Sequence, residues 1–381
     1  MKLNTTDNSS KREQIKELWR YSFSDTEDFM SLYFGHYWQG KNAITALDDK
    51  KVIGALELVP YKLSLRGNVV DTSYIVGVST APEARGGGIA STLMRAAMEK
   101  QKERREVLSL LSPFSFNFYN KMGYAACYQE MRCHIPSERF PNYQYKGKFN
   151  RAALSDWNDL STVYHQFCKH KNGYVFRQKE EWQFIFDMLK LAGGYLYTYQ
   201  NEEGTTIAYV SFVKNAEHFQ VIEAAYINPE GLQALLSFIG SHFSSYSHID
   251  MTLPAGSPLP TLFGEPPVCE LHPTVMGRIL DIPRVLSAGL GGLRLGVSDD
   301  FCPENTGVYE ENGGGIVRYD SLDCEIQTHI GALTQLVMGF RSAYDLSVTG
   351  HIIGDIDAIV QLDRLYPKQH NFINHILTDN I

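Results

Sequence analysis

Three consecutive glycines, Gly86-Gly87-Gly88, stand between a β-rich run that ends at Thr80 and a helical pattern that opens at Ile89. A turn without Cβ atoms lets the backbone come close to a ligand, and the free amides at a helix N-terminus then face an anion such as a pyrophosphate. Arg85, directly before the glycines, adds a positive charge. The spacing is neither GxGxxG nor GxxxxGK[ST], so the dinucleotide and P-loop readings lack their glycines or their lysine. On the glycines alone, a merely flexible turn explains the segment equally well. A second candidate for chemistry is His165, Cys168 and His170, three potential ligands whose spacing matches no zinc pattern; a helix surface with one buried thiol is the better reading, and no metal site is expected.

The glycine turn needs a strand before it and a helix after it. Ala43 to Leu47 and Val52 to Val59 read as a strand pair around the turn Asp48-Asp49-Lys50, and Val69 to Thr80 reads as a further strand. From Ile89 onward, Ile89, Leu93 and Ala96/Ala97 share one helical face, while Lys100, Lys102, Arg104 and Arg105 suit the negative end of the helix dipole. The segment is therefore expected to run strand, glycine turn, helix.

Taken with its flanks, Thr80-x-Pro82-Glu83-x-Arg85-x-x-Gly88-Ile89-Ala90 resembles the acetyl-coenzyme A loop of the GNAT N-acetyltransferase superfamily, whose core pattern is Arg-x-x-Gly-x-Gly/Ala. About 36 residues after Pro82, Phe118-Tyr119-Asn120-Lys121-Met122-Gly123-Tyr124 is similar to that superfamily's closing FYxxxGF/Y segment. The resemblance implies that acetyl-CoA is held by Val78, Ser79, Thr80, Arg85, Gly86, Gly87, Gly88, Ile89 and Ala90. It implies that a backbone amide between Val76 and Thr80 polarises the thioester carbonyl, and that Tyr119 protonates the departing thiolate. A thiol with a pKa of about 8.5 and a phenol with one of about 10 are close enough for that transfer. The alternative for Tyr119, in a chain with 22 tyrosines, is a packed core aromatic. Gly86 and Gly87 stand where many such loops carry Lys or Arg, which shifts the pyrophosphate onto backbone amides, Arg85 and Arg95.

At 381 residues the chain exceeds one ordinary core, which stops growing at roughly 250–300 residues. After the linker Pro141 to Lys148, Tyr195 to Gln200, Ile207 to Lys214 and Phe219 to Ile227 repeat the strand order of the first part. Asn228-Pro229-Glu230 and the helix-like Gln233 to Phe243 follow, but without an Arg-x-x-Gly-x-Ala loop, as in a degenerate copy that has lost the pyrophosphate site. Past the glycine-rich Ser287 to Leu293, short strands and the helical runs Ile330 to Met338 and Ile356 to Leu365 read as an α+β unit. The expected fold is thus α/β and α+β: a GNAT domain at 1–145, a degenerate GNAT-like domain at 146–286 and a third domain at 287–381.

Tandem GNAT-like halves with such a tail resemble the Eis (enhanced intracellular survival) acetyltransferases, whose last domain is like a sterol carrier protein. Further similarity lies in Tyr164, Asn172 to Arg177, Trp182, Met276-x-Arg278-Ile279-x-Asp281 and Leu336 to Ser342. The resemblance implies transfer of acetyl to a primary amine, often on an aminoglycoside or other polyamine, by a homo-hexamer whose terminal carboxylate, here that of Ile381, helps to deprotonate the amine. This chain runs on past the family's usual end, so Asp379 and His375 are alternatives for that role. Candidate acceptor-binding residues are Asp25, Asp28, Phe29 and Trp38, whose charge and aromatic faces suit a polycation, or which belong simply to solvated surface and core. Two other functions stay open: acetylation of a peptide or protein, and lipid binding by the third domain without catalysis.

With 43 acidic and 35 basic side chains and no basic cluster, nucleic acid is not an expected partner. No run reaches the roughly 18 apolar residues of a membrane span, and the polar start lacks the pattern of a signal peptide, so no membrane association and a cytoplasmic location are expected. The six cysteines form no CxxC pair, and no disulfide framework is expected.

Overall fold

The computed structural model of the chain describes residues 1–321 and 323–373. These residues divide into two compact units, one built from Met1–Tyr128 with Thr274–Gln369 and the other from Gln129–Pro273 with the segment that starts at His370.

In the first unit, β1 (Lys2–Asn4), β2 (Ala43–Asp48), β3 (Lys51–Leu65), β4 (Asn68–Thr80), β5 (Leu108–Leu111) and β6 (Ala125–Ala126) lie in one sheet in chain order, and a seventh strand, Met276–Ile279, sits between β5 and β6. The long β3–β4 hairpin closes on Arg66 (φ 48°) and Gly67 (φ 80°), a two-residue turn with both φ positive that matches the twist of the strands. Helices α1 (Arg12–Ser22) and α2 (Glu27–His36) bury Ile15, Leu18, Trp19 and Met30, Tyr33, Phe34, each at the i, i+3, i+4 spacing of one helical stripe. Helix α3 (Ile89–Glu103) lies over Gly54, where a side chain would collide with Ile89 at 2.7 Å. The short α4 (Phe116–Asn120) follows β5.

Thr274–Gln369 belongs to the same unit. Its strands Gly315–Tyr319, Gly307–Asn312, Leu295–Ser298, Ile326–His329 and Ile352–Gly354 form a second sheet in that order, with helices at Ile330–Val337, Ala343–Val348 and Ile356–Leu365. Two arginines tie it to the first sheet. Arg66 at the hairpin tip donates to the Leu336 and Val337 carbonyls at 2.9 and 2.7 Å, a cation at a helix C-terminus. Arg278 forms a fully buried ion pair with Asp299 at 2.5 Å and donates to the Met122 carbonyl. That reach is possible only because residue 123 is glycine, with φ 76°: a Cβ there would fall 1.7 Å from the Arg278 guanidinium. Both Gly123 and Arg278 belong to segments on which the family resemblance rests.

The second unit repeats the first. Strands β8 (Lys148–Arg151), β9 (Tyr195–Gln200), β10 (Thr206–Lys214), β11 (Phe219–Tyr226), β12 (His248–Pro254) and β13 (Val268–Pro273) come in chain order, and β7 (Gln129–Pro136) sits between the fifth and sixth of them. Helices α5 (Trp157–Cys168), α6 (Lys179–Leu191) and α7 (Pro229–Gly240) pack on that sheet through Leu160, Tyr164, Trp182, Leu189, Leu235 and Ile239. Each sheet therefore takes its inserted strand from chain that lies beyond its own run of six.

This exchange is why the expected boundaries at 145/146 and 286/287 do not coincide with the division at 128/129 and 273/274. β7 is placed by pairing with β12 and β13, more than a hundred residues away, and Met276–Ile279 by pairing with β5 and β6. The cysteine expectation is corrected as well. Cys133 on β7 and Cys269 on β13 stand directly opposite one another and are joined in a disulfide.

Candidate active site

The sheet of the first unit splits at the centre. β4 and β5 run parallel only from the pair Thr72–Leu108 to the pair Ile75–Leu111; β5 then ends, while β4 continues to Thr80. At the same point the β3–β4 ladder shifts, with Gly77 and Val78 standing opposite the single residue Leu56. Such a bulge bends and twists its strand. Only glycine serves at its first position: φ is 63°, and a Cβ would lie 2.4 Å from the Trp19 ring. The backbone of Val76 to Thr80, which includes the expected Val78, Ser79 and Thr80, thus leaves β5 and faces a gap between the strands.

The glycine turn lies at the end of that run. The first bond of α3 is Thr92 N–H to the Gly88 carbonyl, so the amides of Gly87 to Ser91 precede it at the positive end of the helix, and no side chain caps them. Gly86 and Gly88 have φ of 83° and 74°, with open space where a Cβ would be. Glycine is needed there for the backbone conformation, and the opening leaves room for a ligand. Arg85 is exposed, with its Nε 3.4 Å from the Thr80 carbonyl. Gly86 to Ala90 and Arg85 therefore lie together at one helix N-terminus. Arg95 does not join them, because it donates to the Phe301 carbonyl and stacks 4.0 Å above the Phe301 ring.

Tyr119 lies on α4, its ring packed against Phe114, Phe118 and Tyr124 at centroid distances of 5.5, 5.0 and 6.1 Å. Burial holds its hydroxyl well above the ordinary tyrosine pKa, and that hydroxyl has no hydrogen-bond partner among the described residues. The proton is retained, with no acceptor among the described residues. Neighbouring Tyr124 differs: its hydroxyl is 2.7 Å from Ser109 Oγ on β5. Phe114, which packs on Phe118 and Tyr119 yet is 71% exposed, was not signalled by any motif.

On the side of α1 and α2, Asp25 accepts from Trp19 Nε1 at 2.7 Å, Asp28 is exposed in the first turn of α2, Phe29 stacks on Tyr33 at 6.3 Å, and Trp38 packs on Phe34 at 5.5 Å. Below them is a residue that motif reading missed. Glu57 on β3 is buried, with Tyr33 donating to Oε2 at 2.8 Å and the Gln39 amide donating to Oε1 at 3.1 Å. Its β4 partner is Val76, next to the bulge. Loss of hydration outweighs these two bonds and raises its pKa to about 7. The signal available in the sequence was a single carboxylate inside the apolar run Gly54-Ala55-Leu56-Glu57-Leu58-Val59. Ile381, Asp379 and His375, the expected sources of a base, lie outside the described residues.

Among the described residues no group of three or more His, Cys, Asp or Glu side chains could hold a metal ion, and no helix is long and apolar enough to cross a membrane.

Comparison with known proteins adds the class. Residues 6–127 and 173–279 each match a family described as an acetyltransferase (GNAT) domain, and residues 284–374 match a sterol carrier protein domain. The chain is an acyltransferase with tandem GNAT folds and a sterol-carrier-like C-terminal domain, and GNAT folds use acetyl-CoA. Solved structures share the whole architecture: a probable N-acyltransferase from Enterococcus faecalis (22% identity, TM-score 0.86, 98% of each chain), a GCN5-related N-acetyltransferase from Anabaena variabilis (20%, 0.86, 98% of this chain and 99% of that one), and Eis1 from Mycobacterium abscessus (15%, 0.80, 98% and 100%). No curated protein sequence matches the chain.

Proposed function

We propose that this chain is an N-acetyltransferase of the Eis kind, which moves acetyl from acetyl-CoA to a primary amine on a small polyamine or aminoglycoside-like acceptor. The observation that carries the reading is the coincidence, in one unit, of three features: a helix N-terminus behind Gly86 to Gly88 with no side-chain cap among the described residues, an open β4 edge at Val78 to Thr80, and a buried phenol at Tyr119 with no hydrogen-bond partner among the described residues. The amides of the glycine turn, with Arg85, bind the pyrophosphate; the β4 edge holds the pantetheine and polarises the thioester carbonyl. Asp25, Asp28, Phe29 and Trp38 draw in and orient a cationic acceptor.

An amine with a pKa near 10 arrives protonated and must lose a proton before it attacks. Glu57, ionised above about pH 7, takes up that proton by way of Tyr33 or water. The carboxylate of Ile381 is the alternative acceptor implied by the family. As the nitrogen–carbon bond forms, the carbon–sulfur bond breaks and the Tyr119 proton goes to the leaving sulfur; the nitrogen gives up its second proton as it becomes an amide, and that proton, carried by water, restores the phenol. Burial makes Tyr119 a weaker acid than free tyrosine, but the same burial penalises a bare thiolate beside it. Replacing Tyr119 with Phe keeps the ring and removes the donor, so kcat should fall by about a hundredfold with acetyl-CoA affinity nearly unchanged. Turnover within threefold of the parent would assign the proton to another group.

We further propose a cytoplasmic hexamer, for which sedimentation at equilibrium is the direct measure. A lipid-carrier role for the last domain has less support. Its cavity of about 450 Å³ has a mixed lining, with Val297, Val308 and Ile353 beside Ser298, Gln327, Thr328, His329 and His351.

A further inference from the structure

The second unit repeats the split of the first. β11 and β12 run parallel only at Gln220–Asp250 and Val221–Met251, the β10–β11 ladder then shifts at Ile222, and β11 continues to Tyr226 paired with β10 but not with β12. This second split is filled by the chain itself. The segment His370 to Ile373 enters beside Asn172: the Asn172 amide donates to the His370 carbonyl, the Phe372 amide donates to the Asn172 carbonyl, both at 2.9 Å, and the pair forms a parallel bridge between Asn172 and Asn371. Asn172 Nδ2 also donates to Asn371 Oδ1 at 2.9 Å in a buried setting. Phe372 joins the core formed by Leu160, Tyr164, Cys168 and Trp182, with its ring 5.8 Å from that of Phe167. Between Ile222 to Ala224 of β11, Thr252 to Pro254 of β12 and Phe372-Ile373, only about 20 Å³ is left, room for about one water.

We propose that the split of the second GNAT fold is a docking site for the chain's own C-terminal tail, with Asn371 and Phe372 as its recognition residues, and that this peptide stands where the first fold admits the arm of acetyl-CoA. The occupant is matched to the site by chemistry. Asn371 supplies the acceptor that the buried Asn172 side chain needs, the backbone of 370–372 completes the hydrogen bonds of Asn172, and Phe372 fills the apolar space. The second fold has therefore exchanged a nucleotide ligand for an extended peptide, and its role is to anchor residues 370–373. The comparison of the two splits rests on the acetyl-CoA reading; the docking itself does not.

Amide hydrogen exchange on the full chain tests the docking. In Phe372→Ala, exchange at the amides of Asn172 and position 372 should accelerate at least tenfold while peptides of the first unit keep their protection. Asn371→Ala, a milder change, should shift the same amides in the same direction. An excess of synthetic peptide with the sequence of residues 366–376 should slow exchange at Asn172 again in Phe372→Ala. Unchanged exchange in both variants overturns the docking. Calorimetric titration of the parent with coenzyme A should give one site per chain. Two sites would overturn the exchange of ligand for peptide, whereas none would overturn the acetyl-CoA reading and leave the docking to be decided by the exchange data.

Discussion

The two GNAT folds share a strand order, a bulge and a central split, yet their splits hold different chemistry. In the first, β4 passes Gly77 and leads to an α3 whose N-terminus no side chain caps. In the second, β11 leads through Asn228 directly into α7, where Asn228 Oδ1 accepts from the Gly231 amide at 2.9 Å and Pro229 has no amide to offer. One helix N-terminus is left free for an anion and the other is closed by its own cap. The residue that follows each bulge differs in the same sense. Ser79 in the first split is uncharged, whereas Glu223 in the second is buried in a bidentate pair with Arg177 at 2.7 and 3.0 Å and accepts from Tyr209 at 2.5 Å. The fold therefore supplies a cleft, and a few residues at its end decide whether the cleft stays open or becomes core.

The largest test of that contrast removes the charge in the second split. Glu223→Gln leaves the Arg177 guanidinium buried without its counter-charge, between the rings of Tyr164 and Trp182 at 4.0 and 5.1 Å. The second unit should lose roughly 3–5 kcal/mol in denaturant unfolding, while affinity for acetyl-CoA in the folded protein stays level. Weaker cofactor binding would mean that the second split takes part in the first one's work.

Glu57 sharpens the comparison from the other side, because its carboxylate has no arginine partner. Its pKa in the fold, about 7, lies above the ordinary carboxyl value, so the folded state holds the proton more tightly than the unfolded chain. That stabilisation is complete below about pH 4.5 and is lost as the pH rises through about 7, a change of about 3 kcal/mol. Replacing Glu57 with Gln should flatten this pH dependence in unfolding experiments. The same substitution should lower kcat by about a hundredfold and erase the rise in rate through pH 7; an unaltered profile would assign the base to another group.

The smallest expected effect is at the glycine turn. Gly88→Val forces a β-branched residue to φ 74° at the start of α3, where space is open. The loop should distort, and acetyl-CoA should bind at least tenfold more weakly, about 1.4 kcal/mol, with little change in the melting of the second unit. Unchanged affinity in the folded variant would remove this turn from the cofactor site.

What the sequence determined by itself was local. The strand, glycine turn and helix from Val69 to Glu103 were legible because a period-two run, a glycine cluster and a 3.6-residue period are written in neighbouring positions. The loss of the anion loop before α7 was legible for the same reason, as were two GNAT-like runs and an α+β tail. Tertiary structure decided the rest. That β7 and Met276–Ile279 serve sheets outside their own runs, and that Cys133 meets Cys269, depends on pairings across more than a hundred residues, which no local pattern records. The raised pKa of Glu57 comes from the burial that α2 and the sheet impose on it together, and the place of Phe372 comes from a split that exists only once β11 and β12 have parted. Short-range periodicity fixes which elements form; what each buries, and so which charges and clefts survive, is settled only when distant strands pair.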